Sequence, residues 1–355
     1  MTLKNKLDIL LITYNRCEEL QETLNELLAE NSPIKDYSIK IIDNNSTDDT
    51  YNVVQSFMQK YSNLSYAKNK YNIGGNANIM KAFYEAKNEY VWILADNDHY
   101  CWDNWYEVEK AVEDGVDAIF VSTYGCPEIS IAQLYNQATF LPGVIYKTSN
   151  LDDTVMGNMA YNISNMFPHS ALIAKIINQN GNIYIVKKEI VSIGDNRDKK
   201  TGKHIYTRGY NNGFMHPYLK EMSWLTGYAN SILLLNNKNI RNICLTKDLF
   251  CLKFNSARVF DYNKKNGSKS LYNLLCIYCV LSPLSKVRFL INLICEKSLY
   301  KIIYFYSLCA KPNENNQIIT RYYIRIFGKN KLIKEISQKR KAVDSQKYCP
   351  VLKGV

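Results

Sequence analysis

Tyr90-Val91-Trp92-Ile93-Leu94-Ala95-Asp96-Asn97-Asp98 decides how this sequence folds. An uninterrupted apolar run rich in β-branched and aromatic residues is the composition of a strand buried on both faces, as in a parallel sheet. Two carboxylates one residue apart then end it. Asp96 and Asp98 are poorly placed to cap a helix, and a divalent cation with hard oxygen ligands best relieves their mutual repulsion. The stretch therefore predicts a buried strand that delivers acidic ligands at its C-terminal end.

The surrounding sequence supplies the rest of such a sheet. Leu7 to Thr13, Ser38 to Asp43, Leu64 to Lys68 and Asp117 to Thr123 are further short apolar runs. Helical patterns separate them. Glu18 to Leu28 has apolar residues at helical spacing (Leu20, Leu24, Leu27, Leu28), and Thr47 to Gln59 opens on Ser46, Thr47, Asp48 and Asp49, residues suited to capping. Strands alternating with helices predict an α/β fold with a mainly parallel sheet flanked by helices. Right-handed crossovers would bring the C-terminal ends of the strands to one edge, where such sheets bind ligands.

Each strand end carries polar residues. Thr13-Tyr14-Asn15-Arg16 follows the first strand and on its own reads as a strand-to-helix turn, with Asn15 as N-cap. Asp43-Asn44-Asn45-Ser46-Thr47-Asp48-Asp49-Thr50 follows the second, either as a helix cap or as the site of an aspartate that hydrogen-bonds a base or ribose. Asn72-Ile73-Gly74-Gly75-Asn76 follows the third. Its glycines permit a tight turn or a close approach of backbone to a ligand.

Together and in this order, these four elements resemble family 2 glycosyltransferases of the GT-A fold over residues 7 to about 125. The resemblance implies a nucleotide-sugar donor and a glycan or lipid-linked glycan acceptor, with a UDP-sugar favoured, an inverting outcome and a role in bacterial-type surface polysaccharide or glycoconjugate synthesis. It implies that Thr13, Tyr14, Asn15 and Arg16 line the nucleotide pocket and that Asp43, with Asn45 beside it, reads the base. It also implies that Asn72, Gly74, Gly75 and Asn76 lie near ribose or phosphates, that Asp96 and Asn97 approach ribose or sugar, and that Asp98 ligates Mn²⁺ or Mg²⁺.

An inverting transfer needs a carboxylate to take the acceptor proton. The Glu-Asp pair that often marks this base in the family is missing, and Asp195 in Ser192-Ile193-Gly194-Asp195-Asn196-Arg197-Asp198 is the leading candidate, ahead of Asp198, Asp152, Asp153 and Glu221. His216, before Pro217, falls where some members complete the metal site with an imidazole. His169 and His204 have weaker claims.

Charge divides the chain. Residues 231–355 hold 23 Lys and Arg against 6 Asp and Glu, whereas residues 1–230 hold 21 against 27. An acidic front suits a cation site, and a basic, tyrosine-rich tail suits an anionic membrane surface. The expected division is a nucleotide-sugar half at 1–124, an acceptor half at 125–230 and a basic, mostly helical region at 231–355. Helical patterns near Leu271 to Val280, Lys286 to Tyr306 and Gln317 to Ile336 fit either membrane association or a homo-oligomer interface. No run reaches the roughly 18 apolar residues of a membrane span. Neither a signal-peptide pattern nor a cysteine framework stands among the ten cysteines and the lysine-bearing start, so a cytoplasmic protein, peripheral at the inner face of the membrane, is expected. A nucleotidyltransferase would begin with a glycine-rich basic loop, which Thr13 to Cys17 does not provide. A nucleic-acid-binding protein would place basic residues, not aspartates, at the strand ends, and no nucleic-acid partner is expected.

Overall fold

The computed structural model describes residues 3–122, 129–163, 167–194, 228 and 230–244. The strands are β1 (Leu7–Thr13), β2 (Ile39–Asp43), β3 (Leu64–Lys68), β4 (Tyr90–Ala95), β5 (His99–Tyr100), β6 (Ala118–Phe120), β7 (Val144–Lys147), β8 (Ile183–Ile185) and β9 (Val191–Ser192). Among the described residues the helices are α1 (Cys17–Leu27), α2 (Thr50–Met58), α3 (Gly75–Tyr84), α4 (Trp105–Glu113), α5 (Ile131–Gln137), α6 (Asp153–Tyr161), α7 (Ser170–Asn178) and α8 (Lys238–Ile243).

Seven strands form one sheet in the order β3-β2-β1-β4-β7-β6-β8, and β5 pairs with β9 apart from it. β1 runs parallel to β2 and β4, and β2 to β3. Only β7 is reversed, antiparallel to both β4 and β6, while β6 and β8 are parallel. The expected mainly parallel sheet is present. In register, Thr13 stands opposite Asp43, Asp43 opposite Lys68, and Ile12 opposite Ala95. The chain therefore leaves β1, β2, β3 and β4 at one level, on one edge.

Burial explains why the sheet holds. β4 is buried from Tyr90 to Leu94. Trp92 packs against Trp105 with ring centroids 5.7 Å apart and donates its indole N–H to the Pro142 carbonyl at 2.7 Å, so the large apolar ring is buried without an unsatisfied donor. On α1, Leu20, Leu24 and Leu27 are buried, the stripe that the helical spacing predicts. Asp8, a charged residue inside β1, is explained by the loop before β4, since its Oδ2 accepts the Lys87 and Asn88 amides at 2.5 and 2.7 Å.

The stretch beyond residue 128 is more regular than its sequence suggests. It contributes α5, β7, α6, α7 and β8, and both strands join the main sheet. α7 is buried along almost its whole length, at Ser170, Ala171, Leu172, Ile173, Ala174, Ile176 and Ile177. A helix buried on all sides has no alternating pattern to reveal it. The helical patterns expected at 271–280, 286–306 and 317–336 lie outside the described residues.

Candidate functional site

Two loops at the common edge are stitched together by side chains. Asn15 and Asn45 both have left-handed backbone, with φ of 52° and 69°. Asparagine tolerates this conformation better than most residues. The Asn15 N–H donates to Ser46 Oγ at 2.9 Å, and Asn15 Oδ1 accepts the Thr47 N–H at 2.7 Å. Asn15 is therefore not the N-cap of α1. Arg16 occupies that position without a capping side chain, and the Cys17 N–H donates instead to Asp48 Oδ2 at 3.0 Å. Tyr14 lies in the same turn, half-buried.

Asp43 is fully buried. Its Oδ1 accepts the Ser46 N–H at 2.8 Å and the Ser46 hydroxyl at 2.6 Å, and its Oδ2 accepts the Tyr66 hydroxyl at 2.5 Å. Burial and then this bond to Asp43 push the Tyr66 phenol far above its ordinary range, so it stays a donor. Tyr51 stands 5.7 Å from the Tyr66 ring and is half exposed.

A cluster of asparagines joins the third loop to the second. Asn44 Oδ1 accepts from the Ile73 N–H and from Asn69 Nδ2, both at 3.0 Å, and Asn44 Nδ2 donates to Asn72 Oδ1 at 2.9 Å. Asn72 Oδ1 also accepts the Gly74 N–H at 2.8 Å, and Asn69 Nδ2 reaches Asn78 Oδ1 at 2.9 Å. Gly74 has a φ of 86°, which favours glycine, and Gly75 opens α3. Asn76 Nδ2 donates to the Ile163 carbonyl at 2.6 Å, tying the start of α3 to the chain just after α6. Asn44, Asn69 and Asn78 were not among the expected site residues, because a lone asparagine reads as a turn former.

The two aspartates of the triplet differ. Asp96 Oδ2 accepts the Thr13 hydroxyl at 2.7 Å and Oδ1 accepts Arg16 Nη1 at 2.9 Å, while the same Nη1 reaches Asn97 Oδ1 at 3.2 Å. Asp98 is equally buried, yet only its Oδ1 is engaged, by the Gly194 N–H at 3.2 Å. Its Oδ2 is buried without a hydrogen-bond partner. Burial pushes the Asp98 carboxyl up to about 6, opposed by the Gly194 amide and reinforced by Asp96. A buried, unsatisfied carboxylate oxygen with a raised pKa is the condition in which a cation binds most profitably.

The remaining candidates separate clearly. β7 runs antiparallel, with Lys147 opposite Tyr90 at the start of β4, so Asp152 and Asp153 follow it at the edge opposite Asp98. Asp152 accepts the Val155 N–H at 2.8 Å as the N-cap of α6 and pairs with Lys175 at 2.9 Å, a structural role. His169 is buried, and burial pushes its imidazole down to about 4. Asp195, His216, Asp198, Glu221 and His204 lie outside the described residues. Among the described residues, no three His, Cys, Asp or Glu side chains converge on one point.

A sequence model of Glycosyl transferase family 2 matches residues 8–181, the span from the first strand to the turn before β8. This segment, just under half of the chain, is similar to glycosyl transferase family 2. The chain is similar to the abequosyltransferase RfbV of Salmonella typhimurium, 26% identical over 168 residues that make up 46% of this chain and 50% of that protein. It is also similar to the GalNAc(5)-diNAcBac-PP-undecaprenol beta-1,3-glucosyltransferase of Campylobacter jejuni, 33% identical over 94 residues, 26% of this chain and 30% of that one. The chain thus spans half or less of the length of these curated relatives. Among solved structures, S. aureus TarS 1–349 in complex with UDP superposes with a TM-score of 0.54 at 14% identity, covering 92% of this chain and 91% of that one. At that identity the likeness is one of fold, and it bears out the expected GT-A architecture.

Proposed function

We propose that this chain transfers a sugar from a nucleoside-diphosphate sugar, a UDP-sugar first among them, to a hydroxyl of a glycan or lipid-linked glycan in the synthesis of a surface polysaccharide or glycoconjugate. The observation that carries this reading is the buried, partnerless Asp98 Oδ2 at the sheet edge, beside an Asp96 whose own oxygens are already engaged. Support also comes from the UDP bound by TarS and from the undecaprenol-linked acceptor in the name of the Campylobacter relative.

The residues fit a divalent cation. Asp98 would hold Mn²⁺ or Mg²⁺ through its partnerless Oδ2, a hard oxygen ligand of the kind such ions take. His216 is the candidate for an added imidazole ligand. When bound, the ion would offset the charge that develops on the leaving diphosphate. Thr13 and Arg16 hold Asp96 and Asn97 in place for the sugar side of the donor, and the asparagine cluster holds the Gly74-Gly75 turn for the nucleotide side. Asp195, bonded in sequence to the Gly194 that touches Asp98, takes the proton of the acceptor hydroxyl as its oxygen attacks the anomeric carbon and the nucleoside diphosphate leaves.

Ser231 to Cys244 pack into the first compact unit, with Ile232, Leu235 and Cys244 buried, and the stretch proposed to lie on an anionic membrane surface, where a lipid-linked acceptor would be met, is the rest of the Lys- and Arg-rich tail, residues 245–355. Among the described residues no helix is long and apolar enough to cross a membrane.

The test is UDP-sugar turnover by the full chain with Mn²⁺, in excess chelator and in Asp98→Ala, alongside Asp195→Asn. Turnover should vanish with chelation and with Asp98→Ala, and fall by roughly two to four powers of ten in Asp195→Asn. Undiminished turnover of Asp98→Ala in chelator would overturn the reading.

A further inference from the structure

Gly194 makes a contact that no other residue type could make. It follows β9, whose antiparallel pairing sets Ser192 opposite His99 and Val191 opposite Tyr100, just past the acidic triplet. The Cys101 N–H donates to the Ile190 carbonyl at 2.8 Å and extends that ladder. The chain is thereby drawn back across the end of β4, where the Gly194 N–H reaches Asp98 Oδ1 at 3.2 Å. A Cβ at position 194 would collide with the Asn97 carbonyl oxygen and lie 2.7 Å from its carbon. Both are backbone atoms, so no rotamer change could make room. The Gly194 backbone is not left-handed, so space alone demands glycine here.

We propose that Gly194 is a positioning residue for Asp98: its amide holds Oδ1 so that Oδ2 alone is offered to a cation, and only glycine lets the amide come close enough. The inference rests on the reading of Asp98 as the cation ligand and goes beyond it. A carboxylate free to rotate could present either oxygen or both. One held through Oδ1 presents a single, preoriented ligand and loses no rotational freedom when the ion arrives. Hydrogen bonds of this outer kind are worth roughly 10- to 100-fold in metal affinity.

The test measures Mn²⁺ affinity of the full-length chain by calorimetry, without donor, for the unmodified protein, Gly194→Ala and Asp98→Ala. Gly194→Ala should bind Mn²⁺ roughly 10- to 100-fold more weakly. Because that variant could fail to fold, amide hydrogen exchange of Gly194 is read independently in the unmodified protein and in Asp98→Ala. Loss of the charged acceptor should speed exchange at Gly194 about tenfold or more. Unchanged Mn²⁺ binding in Asp98→Ala sinks the site reading itself. Loss of binding in Asp98→Ala with Gly194→Ala within twofold of the unmodified protein, or exchange at Gly194 indifferent to Asp98, sinks the positioning role and leaves the site reading standing.

Discussion

Arg16 and Asp96, 80 residues apart in sequence, form an ion pair of 2.9 Å in which the carboxylate is almost wholly buried. The Thr13 hydroxyl occupies the other carboxylate oxygen at 2.7 Å. Asp96 is thus neutralised from within the protein, whereas Asp98, two residues on, keeps an oxygen open. The pair divides into a braced residue and a waiting one.

Breaking such a pair from one side leaves a buried charge without compensation. Arg16→Ala should therefore cost about 3 kcal/mol of stability, the low end of what such breaks cost because Arg16 itself keeps some solvent contact. The double variant Arg16→Ala/Asp96→Ala should recover part of that loss. Urea denaturation of the four proteins in the cycle measures it, and strictly additive losses would show that the pair is not energetically coupled.

Protonation at Asp98 should leave a signature in stability. With its carboxyl raised from 3.8 to about 6 in the folded chain, the folded state keeps a proton between those pH values that the unfolded chain has lost. Stability from this group therefore falls as pH rises from about 4 to about 6, by at most on the order of 3 kcal/mol. His169 acts oppositely. Its imidazole is lowered from 6.5 to about 4, so stability is lost as pH falls through that window. Asp98→Asn removes the first effect alone: relative to the unmodified protein it should gain stability as pH rises from 4 to 6 and level off above. Proton and cation compete for the same oxygen, so Mn²⁺ should raise the melting temperature of the unmodified protein at pH 7 and have little effect at pH 4.5. A stability difference that is flat from pH 4 to 7 would remove Asp98 as the titrating group.

The strands that frame the site were legible because their signal is compositional. Leu7–Thr13, Leu64–Lys68 and Tyr90–Ala95 occupy the bounds expected from their apolar runs. Asp96 and Asp98 stood out because carboxylates after a buried strand go against the composition around them. The asparagine cluster could not be seen in this way. Asn44 and Asn69 are loop residues by type, and their meaning lies in partners at Ile73, Asn72 and Asn78 that only the parallel register of β2 and β3 brings near. Gly194 was equally silent, since a loop glycine gives no hint that an Asn97 carbonyl fills the place of its Cβ.

The cluster itself is open to test through Asn44, which is nearly buried and both donates and accepts. Asn44→Asp keeps the shape and the acceptors and removes the donor that now faces Asn72 Oδ1. Two acceptors would then confront each other at the third loop, at a cost of roughly 1–3 kcal/mol. The same change should weaken donor binding more than it lowers the rate at saturation, because the loop that carries Gly74 is loosened while the acidic triplet is untouched. Kinetics with varied UDP-sugar decide it: a fall in kcat with KM unchanged would contradict a positioning role for this cluster.

The basic tail gives the last prediction. Residues 231–355 carry 23 Lys and Arg against 6 Asp and Glu, and Val287, Leu290, Ile291 and Ile294 recur at helical spacing beside Lys286, Arg288, Lys297 and Lys301. If that stripe lies on a membrane, the full-length protein should sediment with vesicles containing anionic lipid and not with neutral ones, since each cation near such a surface contributes about 1 kcal/mol. Salt should weaken the binding, because the attraction is screened over about 8 Å at physiological ionic strength. Changing Lys286, Arg288, Lys297 and Lys301 together to glutamine should then release the protein from vesicles while leaving transfer to a soluble acceptor intact. A homo-oligomer interface built from the same stripe makes the opposite forecast: no vesicle binding, and loss of the assembled or folded state when Leu290 or Ile294 is made polar. Equal binding to neutral and anionic vesicles would contradict both, since neither charge nor self-association would then account for it.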